Sequence, residues 1–298
     1  MSFSLISNGS PVCNEEHDAV VPWWSFTKTV LSAAALSLVR DGLVQLDDEV
    51  REHPFTLRQL LRHEAGLADY SELAEYHAAV ARGEAPWPAE EMMQRLDVAR
   101  LRYAPGVDWR YSNVGYMYVA RLIERVTGLT LEEALMQQAL VPLGFSRVRT
   151  AKTRADLDGV FLGAASTYDP GWVYHGLLVG PLSDAAHFLD RLLAGHLLPE
   201  SLLREMQTAR ALSGPHPGRP WTSPGYALGL MQGAVDMGLT LCGHTGVGPG
   251  SVVAVYRCAY GANTATCAVF RKGSGEGFAE AEAVNRLSAI LKPDKHDD

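Results

Sequence analysis

The chain has 298 residues, 47% hydrophobic and 20% charged, with a formal net charge of −8. That is enough apolar material for a sizeable core, which excludes wholesale disorder; at roughly 150 residues per domain the length suits two domains or one two-lobed one. A mildly acidic chain with no Lys/Arg run lacks the charge footprint of a general nucleic-acid binder, so no nucleic-acid partner is expected.

The first residues predict a β-hairpin. SFSLIS (residues 2–7) alternates polar and apolar, Asn8-Gly9 follows, and Pro11-Val12-Cys13 resumes an extended run. Asn8-Gly9-Ser10 also fits a glycosylation site, but a tight turn is the expected role of Asn-Gly here. Val20 to Trp24 is a second short apolar stretch. From Ser25 the period becomes helical: Val30, Leu31, Ala34, Ala35, Leu38 and Val39 recur on one side, and Gly42 stands at the C-terminal cap. This Ala-rich helix, apolar over a wide arc, is expected to be central and buried.

A helical, loop-rich middle follows. Thr56 with Gln59 resembles a capping box opening a helix that ends near Gly66, and Thr130 with Glu133 a second one stopping before Pro142. Between them Asn113 to Thr127 is amphipathic and closed by Gly128. Ser183 is the expected cap of SDAAHFLDRLLAG, and a short helix is expected over Glu200 to Thr208. Then the character changes. Tyr226–Gln232, Gly238–Gly243, Ser251–Arg257 and Thr264–Arg271 read as antiparallel strands joined by turns, and Phe278 to Leu291 as a closing helix. Strands at both ends and helices between them predict a sheet built from both termini with a helical lobe inserted.

No stretch approaches the roughly 18 apolar residues that a membrane helix needs. The best, Val30 to Val39, is short and holds Ser32 and Ser37. The opening MSFSLISNGS carries neither a basic nor an apolar signal region, so the expected location is cytoplasmic, with no membrane partner. Cys13, Cys242, Cys258 and Cys267 form no C-x-x-C pair, and are expected to be reduced, mostly buried thiols.

Three short motifs carry possible chemistry. Ser25-Phe26-Thr27-Lys28 opens the first long helix, where positions i and i+3 face the same way. A serine hydroxyl is a poor nucleophile without a base, and a lysine stripped of water can be one. Tyr111-Ser112-Asn113 precedes the amphipathic helix: a phenol can relay a proton and an amide can hold a carbonyl. Read alone, it is a packing aromatic and an Asn cap. His244-Thr245-Gly246 follows a strand, where an edge offers N–H groups and glycine lets a substrate approach. Read alone, it is a Gly-rich turn with a satisfied histidine.

Their order and spacing change this reading. Together they resemble the S-x-x-K, Y-x-N, K-T-G signature of the serine β-lactamase and penicillin-binding-protein family. The nearest likeness is to the branch of class C β-lactamases, D-alanyl-D-alanine carboxypeptidases, D-aminopeptidases and family VIII esterases. LVQLDDEV, TLRQLLRHEAGL, YAPGVDWRYSNVGYMYVARLIERVTG, LSDAAHFLDRLLAGHLLPESLLREM and GHTGVGPGSVVAVY follow the same order, so the likeness covers about residues 20 to 291. It implies an α+β, β-lactamase/DD-peptidase-like fold. Residues 1–45 and 165–298 would form the sheet domain and residues 46–164 the helical lobe, with the active site in the cleft between them. It implies a serine hydrolase working through an acyl-enzyme, with neither cofactor nor metal. Ser25 would be the nucleophile, with Lys28 and Tyr111 moving its proton. Asn113 would hold the acyl side chain and the His244-Thr245-Gly246 strand would line the site. The backbone N–H groups of Ser25 and Val247 would form the oxyanion hole.

Two features depart from the signature. His244 replaces a lysine, and an unperturbed histidine is mostly neutral at pH 7. That favours a small ester, an amide or a D-residue peptide, as for an esterase or D-aminopeptidase, over a β-lactamase or D-alanyl-D-alanine carboxypeptidase substrate with its carboxylate. A non-catalytic binding protein is the alternative from another class. Only 24 residues precede Ser25, so the sheet is expected to be narrower or its edge covered by a second copy in a homodimer. Elsewhere, His63-Glu64 lacks the second histidine of H-E-x-x-H, no G-x-S-x-G elbow occurs, and Gly246-x-Gly248-x-Gly250 reads as a turn. Trp23 and Trp24 read as core or pocket wall. Tyr168, Trp172 and Tyr174 read as packing residues near the cleft.

Overall fold

The computed structural model describes residues 1–14, 19–163 and 168–292. The predicted hairpin pairs Ser2–Ser7 (β1) with Ser10–Asn14 (β2), and Asn8 and Gly9 turn it with φ of 49° and 78°. Both values are left-handed, as a two-residue hairpin turn demands. Val20–Pro22 (β3) leads into a 3-10 turn, Trp24–Phe26, and only then does Thr27–Arg40 (α1) begin. Ser25, the predicted start of the helix, therefore sits in the turn before it, and α1 begins two residues later. Every residue of α1 up to Leu38 is buried, so it is the central helix its Ala-rich face predicts.

Short helices follow at Leu57–Leu61 (α2), Ala74–Ala81 (α3) and Ala89–Arg95 (α4), then the long Asn113–Thr127 (α5) and Leu131–Leu135 (α6). Thr56 and Thr130 both make the expected capping boxes, with Gln59 and Glu133. α2 stops earlier than expected because His63 takes φ of 60°, which breaks the right-handed path before Gly66. Arg149–Ala151 (β4) and Leu177–Pro181 (β5) join β3 in a small antiparallel sheet. Leu182–Leu193 (α7) starts one residue before Ser183, which is thus inside the helix; Pro181, with its fixed φ, is the cap. Glu200–Gln207 (α8) matches its prediction.

The rest is strand until the last helix: Arg210–Ala211 (β6), Trp221–Ser223 (β7), Gly225–Tyr226 (β8), Met231–Val235 (β9), Leu239–Gly248 (β10), Ser251–Tyr260 (β11), Asn263–Lys272 (β12) and Glu276–Leu291 (α9). The single strand predicted over Tyr226–Gln232 is instead β8 and β9, separated by a turn that Ala227 N–H closes on the Leu230 carbonyl. β10 runs five residues past its predicted end, so His244-Thr245-Gly246 lies within a strand, and Gly246 and Gly248 are strand residues rather than turns.

The main sheet is antiparallel throughout, in the order β2-β1-β12-β11-β10-β9-β8-β6, with β7 on β9. β1 from one end of the chain pairs β12 from the other, Ser2 opposite Phe270 through Ser7 opposite Ala265. Alternation divides the core: Val252, Ala254 and Tyr256 pack with α9, while Val253 and Val255 join the larger cluster around α1 and α7. At roughly 1.5–3 kcal/mol for each fully buried large side chain, these two faces hold the sheet between its helices. Cys242, Cys258 and Cys267 are free, buried thiols; the Cys13 side chain and the predicted boundary at 164/165 lie outside the described residues. No described helix is long and apolar enough to cross a membrane.

Candidate active site

Between Val21 and Leu38 every residue is buried except Ser25. Its turn is held from several sides. Trp23 N–H donates to the Leu178 carbonyl and Phe26 N–H to the Trp23 carbonyl, both at 2.8 Å. The Trp24 indole donates to Ser251 Oγ at 3.0 Å. Trp24 has φ of 41°, a costly value for a bulky side chain, and it sits immediately before the serine. Across from it runs β10. A Cβ on Gly246 would lie 2.5 Å from Ser25 N, 2.6 Å from Trp24 Cβ and 2.9 Å from Trp23 O. A glycine is needed there so that strand and turn can touch.

One turn of helix on, Lys28 is fully buried and its amine reaches three groups: Ser25 Oγ at 3.2 Å, Asn113 Oδ1 at 2.6 Å and His175 Nε2 at 3.1 Å. Burial pulls its pKa from 10.5 down to about 7, against a smaller opposing pull from the Asp69 charge. The amine also lies 5.0 Å from the Tyr111 ring centroid. The Tyr111 phenol hydrogen-bonds Ser25, yet burial still pushes its pKa well above 10, so it stays protonated at neutral pH.

Ser112, not Asn113, caps α5: its Oγ accepts from Gly115 N–H and donates to the Ala68 carbonyl. This leaves the Asn113 side chain for the site. Buried Asp69 accepts from the Asn113 amide at 3.1 and 3.2 Å and from its backbone N–H at 2.9 Å, which turns the amide oxygen toward Lys28.

His244 is buried, with Nδ1 2.7 Å from its neighbour's carbonyl, that of Thr245, and Nε2 3.0 Å from the Tyr226 hydroxyl. Burial and the nearby Lys28 charge hold its pKa down at about 3, so it is neutral and Nδ1–H is the donor. Thr245 uses its hydroxyl away from the serine, on the carboxylate of buried Glu280 at 2.6 Å; Glu280 is also paired with Arg219.

Ser25, Asn113 and Val247 line two adjoining cavities. One, of about 520 Å³, also holds Tyr111, Tyr226, His244, Arg219 and Glu276. The other, of about 430 Å³, is walled by Trp24, Tyr70, Tyr76 and Tyr168, with His175 on its lining. Trp172 is buried in the core, and the Tyr174 hydroxyl is spent on the Trp87 carbonyl. A larger cavity of about 750 Å³, beside His53, Phe55 and Tyr118, contains none of the motif residues.

All the predicted site residues thus lie around Ser25. Sequence reasoning missed Asp69, His175 and Tyr226, and set His63 aside with the zinc motif. His63 packs its ring 4.3 Å from Tyr111 and 4.6 Å from Tyr226, and its Nδ1 accepts from Ser112 N–H at 3.1 Å. None of these has a spacing signal, since each reaches the site from a separate loop or strand. Among the described residues no cluster of three or more His, Cys, Asp or Glu is suited to a metal.

Solved structures resemble the whole chain. A D-stereospecific amidohydrolase from Streptomyces sp. has a TM-score of 0.75 at 23% identity, covering 98% of this chain and 94% of that one. A D-amino acid amidase from Ochrobactrum anthropi has a TM-score of 0.79 at 21% identity, covering 98% and 92%. At these identities the likeness is one of β-lactamase/DD-peptidase-like fold. Among curated proteins, lovastatin esterase of Penicillium rubens is 28% identical over 44% of this chain and 40% of its own length. A D-aminopeptidase of Brucella anthropi is 31% identical over 40% of this chain and 23% of its own. The chain therefore matches less than half the length of these curated relatives. The family match itself is nearly complete: residues 5–290 fit the Beta-lactamase family, and the chain belongs to it.

Proposed function

We propose that this protein is a serine hydrolase that works through an acyl-enzyme on Ser25, taking a small ester, an amide or a D-residue peptide. The observation that carries this is Ser25 Oγ, exposed at two cavities and 3.2 Å from a fully buried lysine amine with its pKa near 7. Neutral Lys28 takes the hydroxyl proton as Oγ bonds to the substrate's carbonyl carbon. Backbone N–H groups of Ser25 and Val247 receive the oxyanion. As the bond to the leaving group breaks, the proton passes from Lys28 through Tyr111 to the leaving heteroatom. Water then reverses the sequence and frees the acid. Tyr111 is protonated at working pH, which supports the lysine as base and the phenol as relay. Asn113 Oδ1 faces Lys28, and its amide edge borders both cavities, where the acyl side chain passes.

Neutral His244 supplies no charge for a substrate carboxylate, and the Arg219 charge is outweighed by Glu276 and Glu280. Both points support an ester or amide over a β-lactam or a peptide with a free carboxylate. A fluorophosphonate and a panel of chromogenic short-chain esters, D-aminoacyl amides and cephalosporins test the reading. The expected adduct maps to Ser25 by mass spectrometry and disappears in Ser25→Ala. An adduct elsewhere, or cephalosporin turnover above all other substrates, rejects it.

We also propose that residues 1–45 with 165–298, and residues 46–164, form the two lobes of the cleft; Ser25, Lys28 and His244 come from the first, Asp69, Tyr111 and Asn113 from the second. A cytoplasmic location is supported by the unpaired Cys242, Cys258 and Cys267. A homodimer across β2 is supported by its position at the sheet edge, where Val12 is half-exposed; Pro11, lacking an N–H, works against it. Gel filtration giving a monomer at micromolar concentration removes the dimer.

A further inference from the structure

His175 lies in the loop before β5, is buried, and touches the one amine the mechanism needs. The hydrogen-bond roles around that amine can be worked out in turn. Asn113 donates its NH2 to Asp69, so Oδ1 faces Lys28 and can only accept. One N–H of Lys28 is thus committed to Asn113 in either protonation state. As an ammonium, Lys28 has two more N–H bonds, which go to Ser25 Oγ and His175 Nε2. Nε2 must then be bare, and the ring proton must sit on Nδ1. As a neutral amine, Lys28 has only one N–H besides that to Asn113, together with a lone pair. If the imidazole proton is on Nδ1, Nε2 still requires a donor, so the lone pair is left facing the Ser25 hydroxyl. If it were on Nε2, the imidazole would occupy the lone pair, and Lys28 would turn an N–H on Ser25, which blocks proton removal.

We infer that His175 is a positioning residue: by accepting a hydrogen bond from Lys28, it aims the amine's lone pair at Ser25. This rests on the reading of Lys28 as the base. The ring stays neutral in this role, since burial and the neighbouring Lys28 charge push its pKa well below 6.5. The other titratable groups around the pair are Asp69, beyond Asn113, the Tyr111 and Tyr116 rings, and the neutral His63 and His244. Nδ1 is buried with no hydrogen-bond partner among the described residues: no donor there fixes the opposite tautomer, and the N–H it carries has no acceptor, so the ring's tautomer is set from the Nε2 side by Lys28.

Two measurements test this on the full chain. Imidazole nitrogen NMR shifts read the tautomer directly; Nδ1–H with bare Nε2 is expected, and Nε2–H overturns the inference. The second is the rate of Ser25 labelling by a fluorophosphonate from pH 5 to 9, for the parent, His175→Leu and His175→Gln. Leucine removes the acceptor. Its plateau rate is expected to fall about 10-fold or more, a part of the 10²–10⁴ that a positioned base supplies. Its acid limb moves to lower pH, because the ammonium has lost a partner. Glutamine, whose Oε1 can accept in place of Nε2, restores most of the rate and returns the limb toward the parent's. A parent-like rate and limb in His175→Leu overturns the inference, as does a slow His175→Leu with an unmoved limb. A parent chain not labelled at Ser25 overturns the hydrolase reading and this inference with it. A labelled parent with an Nε2–H tautomer overturns the inference alone.

Discussion

Asp69 and Asn113 are joined by three hydrogen bonds, two to the side-chain amide and one to the backbone N–H, at 2.9–3.2 Å. The carboxylate thereby decides which end of the amide meets Lys28, and its charge opposes the burial that depresses the lysine pKa. In Asp69→Asn the amide can flip and the ammonium loses a favourable charge. Ser25 labelling is expected to slow about 10- to 100-fold, the equivalent of a charge-assisted hydrogen bond of about 1.5–3 kcal/mol. The acid limb should move to lower pH, and a pH series of labelling rates checks both.

The pH dependence of the parent follows from one group. With Lys28 as the proposed base, its neutral form is the active one, so the acylation rate should rise with pH and reach half its plateau near 7. An unperturbed lysine at that pH would be neutral in only about one molecule in three thousand. His244, with its pKa held down at about 3, is neutral throughout pH 5 to 9, and Tyr111 ionises only well above 10, so neither should add an inflection in that range. Lys28→Arg keeps a permanent charge and should lose about 10²–10⁴ in rate. Stopped-flow hydrolysis of a chromogenic ester measures both effects.

Gly246→Ala places a methyl group against the backbone of Trp23 and Ser25 rather than a flexible side chain. The turn or the strand must move, and overpacking of this kind costs about 1–3 kcal/mol. Labelling of Ser25 should fall more steeply than stability, because the proposed nucleophile is the displaced element. Thermal unfolding run beside labelling separates the two.

Arg219→Met leaves Glu280, which is wholly buried, with a charge and no cation. Breaking a buried pair on one side costs about 3–5 kcal/mol. Thr245 and Tyr256, both hydrogen-bonded to the same carboxylate, hold it to β10 and β11. Urea unfolding should show this loss, whereas the exposed Arg204–Glu200 pair should be worth under about 1 kcal/mol in the parallel Arg204→Met variant.

Local patterns were enough for much of this molecule. The Asn8-Gly9 turn, the two capping boxes, the buried face of α1 and the strand-rich C-terminal part are consequences of backbone conformation and hydrophobic period, which act over a few residues. The ordered motifs marked Ser25, Lys28, Tyr111, Asn113 and His244 for the same reason. What lay beyond reach depended on contacts between distant segments: the length of β10, set by its pairing with β11; the need for glycine at 246, set by the turn lying against it; and the arrival of Asp69, His63 and His175 around one amine. A lysine pKa near 7 and a histidine pKa near 3 are likewise properties of burial, which exists only after the chain has packed, because a side chain loses its water only when other parts of the fold take that space.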